Sequence, residues 1–307
     1  MPVISISLDE LGSAMGDRAR LSAWCAGLEA GKVLYFPETP LPIPADDLSF
    51  LLERKQTESG LHKNIAYKPG IDKLTGVDEA SASAEGLARL HGIMRWYSKS
   101  VEGFLGKFLA PYERRWQLDY ASYRQIEEKG RDLPLRKRNN LLHTDAFPTR
   151  PTYGRRILRF FHNINPTETR DWVIGEPFER VVGHFVPGKL AVPKPDGGLA
   201  KAGKGLAQAT GLAGLVPQLK RSPYDGFMMQ LHNTMKEDSA FQETCVREYM
   251  QFRPGSSWMV YTETVPHAVL GGQYALEQTF LVDPAAMVTL ESAPVAVLEK
   301  MAGARLV

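Results

Sequence analysis

Cysteine is nearly missing: Cys25 and Cys245 are the only two in 307 residues, far apart and outside any CxxC. That excludes a disulfide framework or a cysteine-ligated zinc and fits a reducing compartment. No run of about 18 apolar residues exists, so no membrane-spanning helix is expected. Surplus charge is small, a formal +2, which argues against a nucleic-acid partner. The opening Met1-Pro2-Val3-Ile4-Ser5-Ile6-Ser7 has neither a basic start nor a long apolar stretch, so no signal peptide is expected and the protein reads as cytoplasmic.

What is present is a core. Hydrophobic residues make up 43% and charged residues 23%, the proportions of a globular protein. Leu21, Trp24, Cys25 and Leu28 have helical spacing between about Asp17 and Ala30. Lys32 to Phe36 reads as a buried strand, Ala45 to Lys55 as a second helix, Glu58 to Val77 as a loop and Ala80 to Leu109 as a long helix. From Pro134 the pattern changes to short strands with Gly and Pro between them. Strands are expected near Arg138–Ala146, Arg156–Asn163, Asp171–Ile174, Tyr249–Arg253, Trp258–Tyr261 and Tyr274–Val282, with a helix from Tyr224 to about Glu243. Short strands separated by turn signals suggest a sandwich or barrel. The expected class is α+β with a mainly β core: a double-stranded β-helix (jelly roll) over 134–290, helical cover from 1–133, and one domain throughout. A Gly-, Ala- and Lys-rich insertion, 188–221, interrupts it. Its composition reads as a surface loop, or as a segment that orders over the active site or on a membrane.

His143-Thr144-Asp145 lies within an apolar run, and on a strand the two side chains would share one face. With a second histidine from later in the chain they would form the two-His-one-carboxylate set that binds ferrous iron and leaves positions open. Chance alone produces one His-x-Asp in roughly a third of chains with this many histidines. His267 is the candidate partner, just after the Trp258–Tyr261 strand and just before Gly271-Gly272. His162, next to Phe161, reads as a packing residue, and His232 falls in a helix. A bidentate keto acid on the iron would need a cation for its distal carboxylate, for which bidentate arginine is best suited. Residues 268–282 contain no Arg or Lys, so Arg156 and Arg159 are the candidates. Their odd separation puts them on opposite faces of a strand, and Arg159 is favoured.

Arg138 through Thr152, then Arg156-Ile157-Leu158-Arg159 and Asn163-Ile164-Asn165-Pro166, resemble the Kdo 3-hydroxylases, and the resemblance extends over nearly the whole chain. It implies a non-haem Fe(II), 2-oxoglutarate-dependent dioxygenase, with iron on His143, Asp145 and His267, O2 consumed and ascorbate as a reductant. It also implies that the outer Kdo sugar of lipopolysaccharide, carried on lipid A, is hydroxylated at carbon 3 to give Ko. An acidic, phosphate-bearing acceptor calls for further cations, and Arg138 and Arg150, with Tyr153, are the expected sugar contacts. The insertion, with Arg114-Arg115-Trp116, would rest on an anionic membrane. Competing readings keep the iron but change the substrate to another sugar or metabolite, replace the oxygenase by a cupin-like isomerase or hydrolase, or make the barrel a non-enzymatic binding protein.

Overall fold

A computed structural model describes residues 3–54, 64–77, 83–198 and 217–307, with single positions 203, 206 and 210 between. The elements in chain order begin with β1 (Val3–Ser5), α1 (Leu8–Ala14), α2 (Arg18–Glu29), β2 (Val33–Phe36), α3 (Ala45–Glu53), β3 (Ile65–Lys68), β4 (Lys73–Thr75), α4 (Ala84–Phe108) and β5 (Trp116–Arg124). There follow β6 (Arg156–Asn163), β7 (Arg170–Gly175), α5 (Phe178–Phe185), α6 (Pro223–Glu237), α7 (Ser239–Thr244), β8 (Arg247–Phe252), β9 (Ser257–Tyr261), β10 (His267–Gly271), β11 (Ala275–Val282) and α8 (Pro294–Ala302).

Local chemistry explains several boundaries. Asp17 caps α2 by accepting from Ala19 and Arg20, and Ser83 caps α4 through Gly86 N. Ser222 and Asp225 form a capping box at the start of α6, and the Asp225 carboxylate also accepts from Thr152 N and Tyr153 N. Along α4 the buried positions Leu90, Ile93, Met94, Tyr97, Val101, Leu105 and Phe108 recur at three- and four-residue steps, so one stripe faces the sheet.

An eight-stranded sheet runs β1-β2-β9-β6-β11-β5-β3-β4, and a three-stranded sheet runs β10-β7-β8. Among the described strands, only β1 and β2 pair in parallel. One face of the large sheet, with Leu34, Phe36, Leu158, Phe160, Met259 and Tyr261, packs on α1, α2 and α4. Its other face meets the small sheet through Phe161, Trp172, Phe252, Trp258 and Val260. The far side of the small sheet, through Val173 and Ala268, carries α5, α6 and α8.

Two expectations change. The first 133 residues are helical cover, but they also supply β1 to β5, five of the eight strands of the large sheet. Strands β3 and β4 fall within the expected loop from Glu58 to Val77, whose residues 58–63 lie outside the described residues. Strand β5 shows why: Ala121 and Tyr123 are fully buried while Tyr120, Ser122 and Arg124 are only partly so, a period-two signal overshadowed by the long helix before it. The second change concerns Arg138–Ala146, which is not a strand. It is an irregular segment with a single bridge, between His143 and His267. Most of the insertion, residues 199–216, lies outside the described residues. No described helix is long and apolar enough to cross a membrane.

Candidate metal centre

The segment carrying His143 has no ladder of its own and is held at separate points. His143 and His267 exchange both backbone hydrogen bonds, at 3.1 and 3.0 Å. Asp145 N donates to Thr262 O at 2.8 Å, and Val269 N donates to Asn139 O at 2.8 Å. From the other side Gln242 brackets Leu142, accepting from its N–H and donating to its carbonyl, each at 2.9 Å. The backbone is therefore over-determined without being a strand, and His143 and Asp145 still converge.

One donor atom from each of His143, Asp145 and His267 lies within 4.8 Å of the others, the only such group of three among the described residues. The Nδ1 of His143 faces Leu141 O at 2.7 Å and that of His267 faces Val265 O at 3.0 Å. With both Nδ1 positions donating to carbonyls, the Nε2 lone pairs are the ones left for a metal. The His267 ring stacks on Trp172 with 5.1 Å between centroids, and His143 meets His232 edge-on at 5.0 Å. Burial pushes both imidazoles below their ordinary pKa, His143 strongly, so they are neutral ligands. Burial alone would raise the Asp145 carboxyl; Arg159, first among its neighbours, overturns this and holds it well below the usual carboxylate range. Two neutral imidazoles and one carboxylate fit a divalent first-row metal with positions open.

Three arginines and two glutamates surround this set. Arg159 Nη2 lies 2.8 Å from Asp145 Oδ2, a charge contact without hydrogen-bond alignment, and its Nη1 donates to Glu277 at 2.6 Å. Arg124 Nε donates to the other Glu277 oxygen at 2.9 Å. Burial would raise the Glu277 carboxyl, yet Arg124 and Arg159 hold it down at about 2. Arg170 is fully buried and poorly compensated. Its Nη1 donates to Gly272 O at 3.0 Å, Glu128 stands 3.6 Å from Nη2, and Nε and Nη2 have no hydrogen-bond partner among the described residues. Burial, and then Arg124, pulls its pKa down to about 10.

His143, Asp145, His267, Arg124, Arg159 and Arg170 line a cavity of about 210 Å³, with Asn64, Asn139, Phe161, Trp172 and Val269. A larger cavity of about 870 Å³ between α5 and α8 touches none of these residues.

The residues expected from sequence end up in different places. His143, Asp145 and His267 meet, and Arg159 stands beside them. Arg156 faces the opposite side of the sheet, fully buried against Glu263, Thr264 and the Tyr261 ring, and does not line the cavity as expected of a cosubstrate contact; the three-residue offset from Arg159 reverses its direction. Arg150 sits one ring away from Arg159, across Phe147. Arg138, bonded to Leu133 O, and Tyr153, in a left-handed turn tied to Asp225, do not line the cavity. His162 is buried on β6 with its pKa lowered to about 4 by burial, away from the metal set. Arg124, Arg170 and Glu277 were not anticipated, because they reach the cavity only through the register β6–β11–β5 and through β7. The alternation along Tyr120-Ala121-Ser122-Tyr123-Arg124 was the available signal for the first.

A family model described as 3-deoxy-D-manno-oct-2-ulosonic acid (Kdo) hydroxylase matches residues 13–305. Among solved structures, the Kdo hydroxylase KdoO, a non-heme Fe(II) alphaketoglutarate dependent dioxygenase in complex with alphaketoglutarate and Fe(III), is 33% identical with a TM-score of 0.82. That alignment covers 100% of this chain and 98% of the other. The apo structure of the same enzyme is 35% identical with a TM-score of 0.83 over the same shares. No curated protein sequence matches. A match over nearly the full length at this identity, with a two-His-one-carboxylate set at its centre, fixes the relationship: the chain belongs to the Kdo hydroxylase family.

Proposed function

We propose that this protein is an Fe(II)- and 2-oxoglutarate-dependent dioxygenase that hydroxylates the outer Kdo of Kdo-bearing lipid A at carbon 3, giving Ko. The observation that carries it is the convergence of His143, Asp145 and His267 on one point inside a cationic cavity. The two sheets then correspond to a distorted double-stranded β-helix, with the residues that would hold the metal, His143, Asp145 and His267, at its centre. When bound, the iron supplies the oxidative chemistry: O2 and 2-oxoglutarate are consumed, a C–H bond becomes C–OH, and succinate and CO2 leave.

The chain's own residues do the rest. His143 and His267 are fixed as Nε2 donors by their backbone contacts, and Asp145 is kept ionised by Arg159. Since Arg159 is already engaged by Asp145 and Glu277, the distal carboxylate of 2-oxoglutarate is assigned mainly to Arg170, with the unpartnered Nε of Arg159 beside it. Phe161, Trp172 and Val269 supply the apolar part of the cavity lining. The acceptor's lipid anchor implies peripheral contact with an anionic bilayer, to which the lysines of the 188–221 insertion are suited.

Mass spectrometry of Kdo-lipid A after anaerobic iron loading should show one added oxygen that requires both O2 and 2-oxoglutarate. His143→Ala should abolish iron retention and succinate release together. Arg170→Met should retain iron and raise the KM for 2-oxoglutarate at least about thirtyfold, roughly 2 kcal/mol. Near-normal turnover by His143→Ala would sink the assignment.

A further inference from the structure

Resting on the reading of the acceptor as an acidic sugar, we propose that the half-exposed face of the large sheet beside the metal cavity holds a second anionic group of that acceptor, bound by Lys68 and Lys73. Strand alternation builds the face. On β3, Lys68 and Ala66 alternate with buried Ile65 and Tyr67, and on β5, Tyr120 and Arg124 alternate with buried Ala121 and Tyr123. Lys68 pairs with Lys73 across the β3–β4 ladder, so both lysines are on the same side of the sheet. One end of this face is the cavity, where Arg124 and Asn64 are lining residues; the other is β4, the edge strand.

A stack of cations and rings joins the two ends. The Arg159 guanidinium lies 6.0 Å from the Phe147 ring, that of Arg150 lies 4.5 Å from Phe147 and 4.0 Å from Tyr120, and the Lys68 ammonium lies 5.0 Å from Tyr120. Charge along this stack is unevenly matched. Arg159 is paired with Asp145 and Glu277, and Arg150 is paired with Asp119. Lys68 and Lys73 have no carboxylate at ion-pair distance among the described residues, so the surplus positive charge sits at the outer end. An acceptor whose reacting sugar enters the 210 Å³ cavity leaves its remaining anions outside, and the two lysines share a sheet face with the lining residues Asn64 and Arg124. Ammonium groups suit either the carboxylate of a second acidic sugar or a phosphate.

The test uses full-length protein loaded with Co(II) and 2-oxoglutarate, titrated calorimetrically with three probes: Kdo, a Kdo–Kdo disaccharide, and Kdo linked to de-acylated lipid A bisphosphate. The wild type should prefer a two-anion probe over Kdo, and that preference should shrink with salt. K68Q/K73Q should bind Kdo as the wild type does and lose about tenfold for a two-anion probe, while K68R/K73R should retain it. Loss on the disaccharide identifies a sugar carboxylate; loss on the bisphosphate probe alone identifies a phosphate. Equal loss on all three probes, or none on any, overturns the proposal. A wild type that binds Kdo but gains nothing from a second anion overturns the shelf alone, whereas one that binds no Kdo probe overturns the acceptor reading beneath it.

Discussion

Glu277 does at the residue scale what its position in the sequence does not suggest. It is almost completely buried on β11, where it engages Arg124 with one oxygen and Arg159 with the other, and it accepts from Thr279 Oγ1. Through Arg159 it sets the position of the cation beside Asp145 without touching the metal set. Its folded pKa of about 2 lies below its ordinary 4.5. A depressed carboxylate contributes stability that is fully present above about pH 4.5 and is lost as pH falls toward 2. Glu277→Gln should therefore cost about 3 kcal/mol at pH 7, since two buried guanidinium groups lose their shared anion. The gap from wild type should narrow between pH 4.5 and 2. Denaturant unfolding at pH 7 and pH 3 measures both values; a gap that stayed constant would show that the ion pairs contribute nothing. None of this was legible in Leu276-Glu277-Gln278, because the partners come from two strands distant in sequence.

At the scale of elements, the turn between β9 and β10 organises the centre. Thr262 receives Asp145 N, Val265 O orients His267, and Pro266 O accepts from Gly175 N, so this short connection touches both halves of the metal set. Behind it, on the opposite face of the sheet, Glu263 accepts from Arg156 and from Ile157 N, and Arg156 Nη2 donates to Thr264 Oγ1 at 2.7 Å. Arg156, anticipated as a cosubstrate contact, instead clamps the turn. Glu263→Ala leaves a fully buried guanidinium unpaired and should cost about 3–5 kcal/mol, with weaker iron retention as the turn loosens. The double variant Arg156→Met, Glu263→Leu removes both charges and should recover most of the stability but not the iron affinity; thermal unfolding and metal titration read the two effects separately. Sequence periodicity recognised β6, β7, β9 and β11 to within a residue or two because each is apolar and bounded by turns. It misread 138–146, where apolar residues are buried by contacts from α6, α7 and β10 rather than by a ladder. The expected proximity of His143 and Asp145 rested on strand alternation; their actual proximity rests on bonds to Thr262 and His267.

For the whole molecule, the metal set lies where the layers meet. His267 begins the small sheet, Arg159 belongs to the large one, and the His143 segment lies under α6, whose His232 meets the His143 ring and bonds Thr144 O at 2.7 Å. A metal bound there ties β10 to an irregular segment with little regular structure of its own, so binding should couple to global stability. A ligand that binds only the folded state stabilises it by RT ln(1 + [L]/Kd), about 2.7 kcal/mol at a hundredfold excess over Kd. For a chain of this size that corresponds to a Tm increase of roughly 5 °C. Co(II) is a suitable probe, being bound in a solved Kdo hydroxylase. The increase should vanish in Asp145→Ala, since two neutral imidazoles alone hold the ion weakly, and it should survive in Arg170→Met. Adding 2-oxoglutarate should then raise Tm further in metal-loaded wild type, but much less in Arg170→Met or in metal-free wild type. Two sequential shifts, the first dependent on Asp145 and the second on both the metal and Arg170, would separate the ion's site from the cosubstrate's anchor without any turnover. A full 2-oxoglutarate shift in the absence of metal would mean that the acid binds elsewhere.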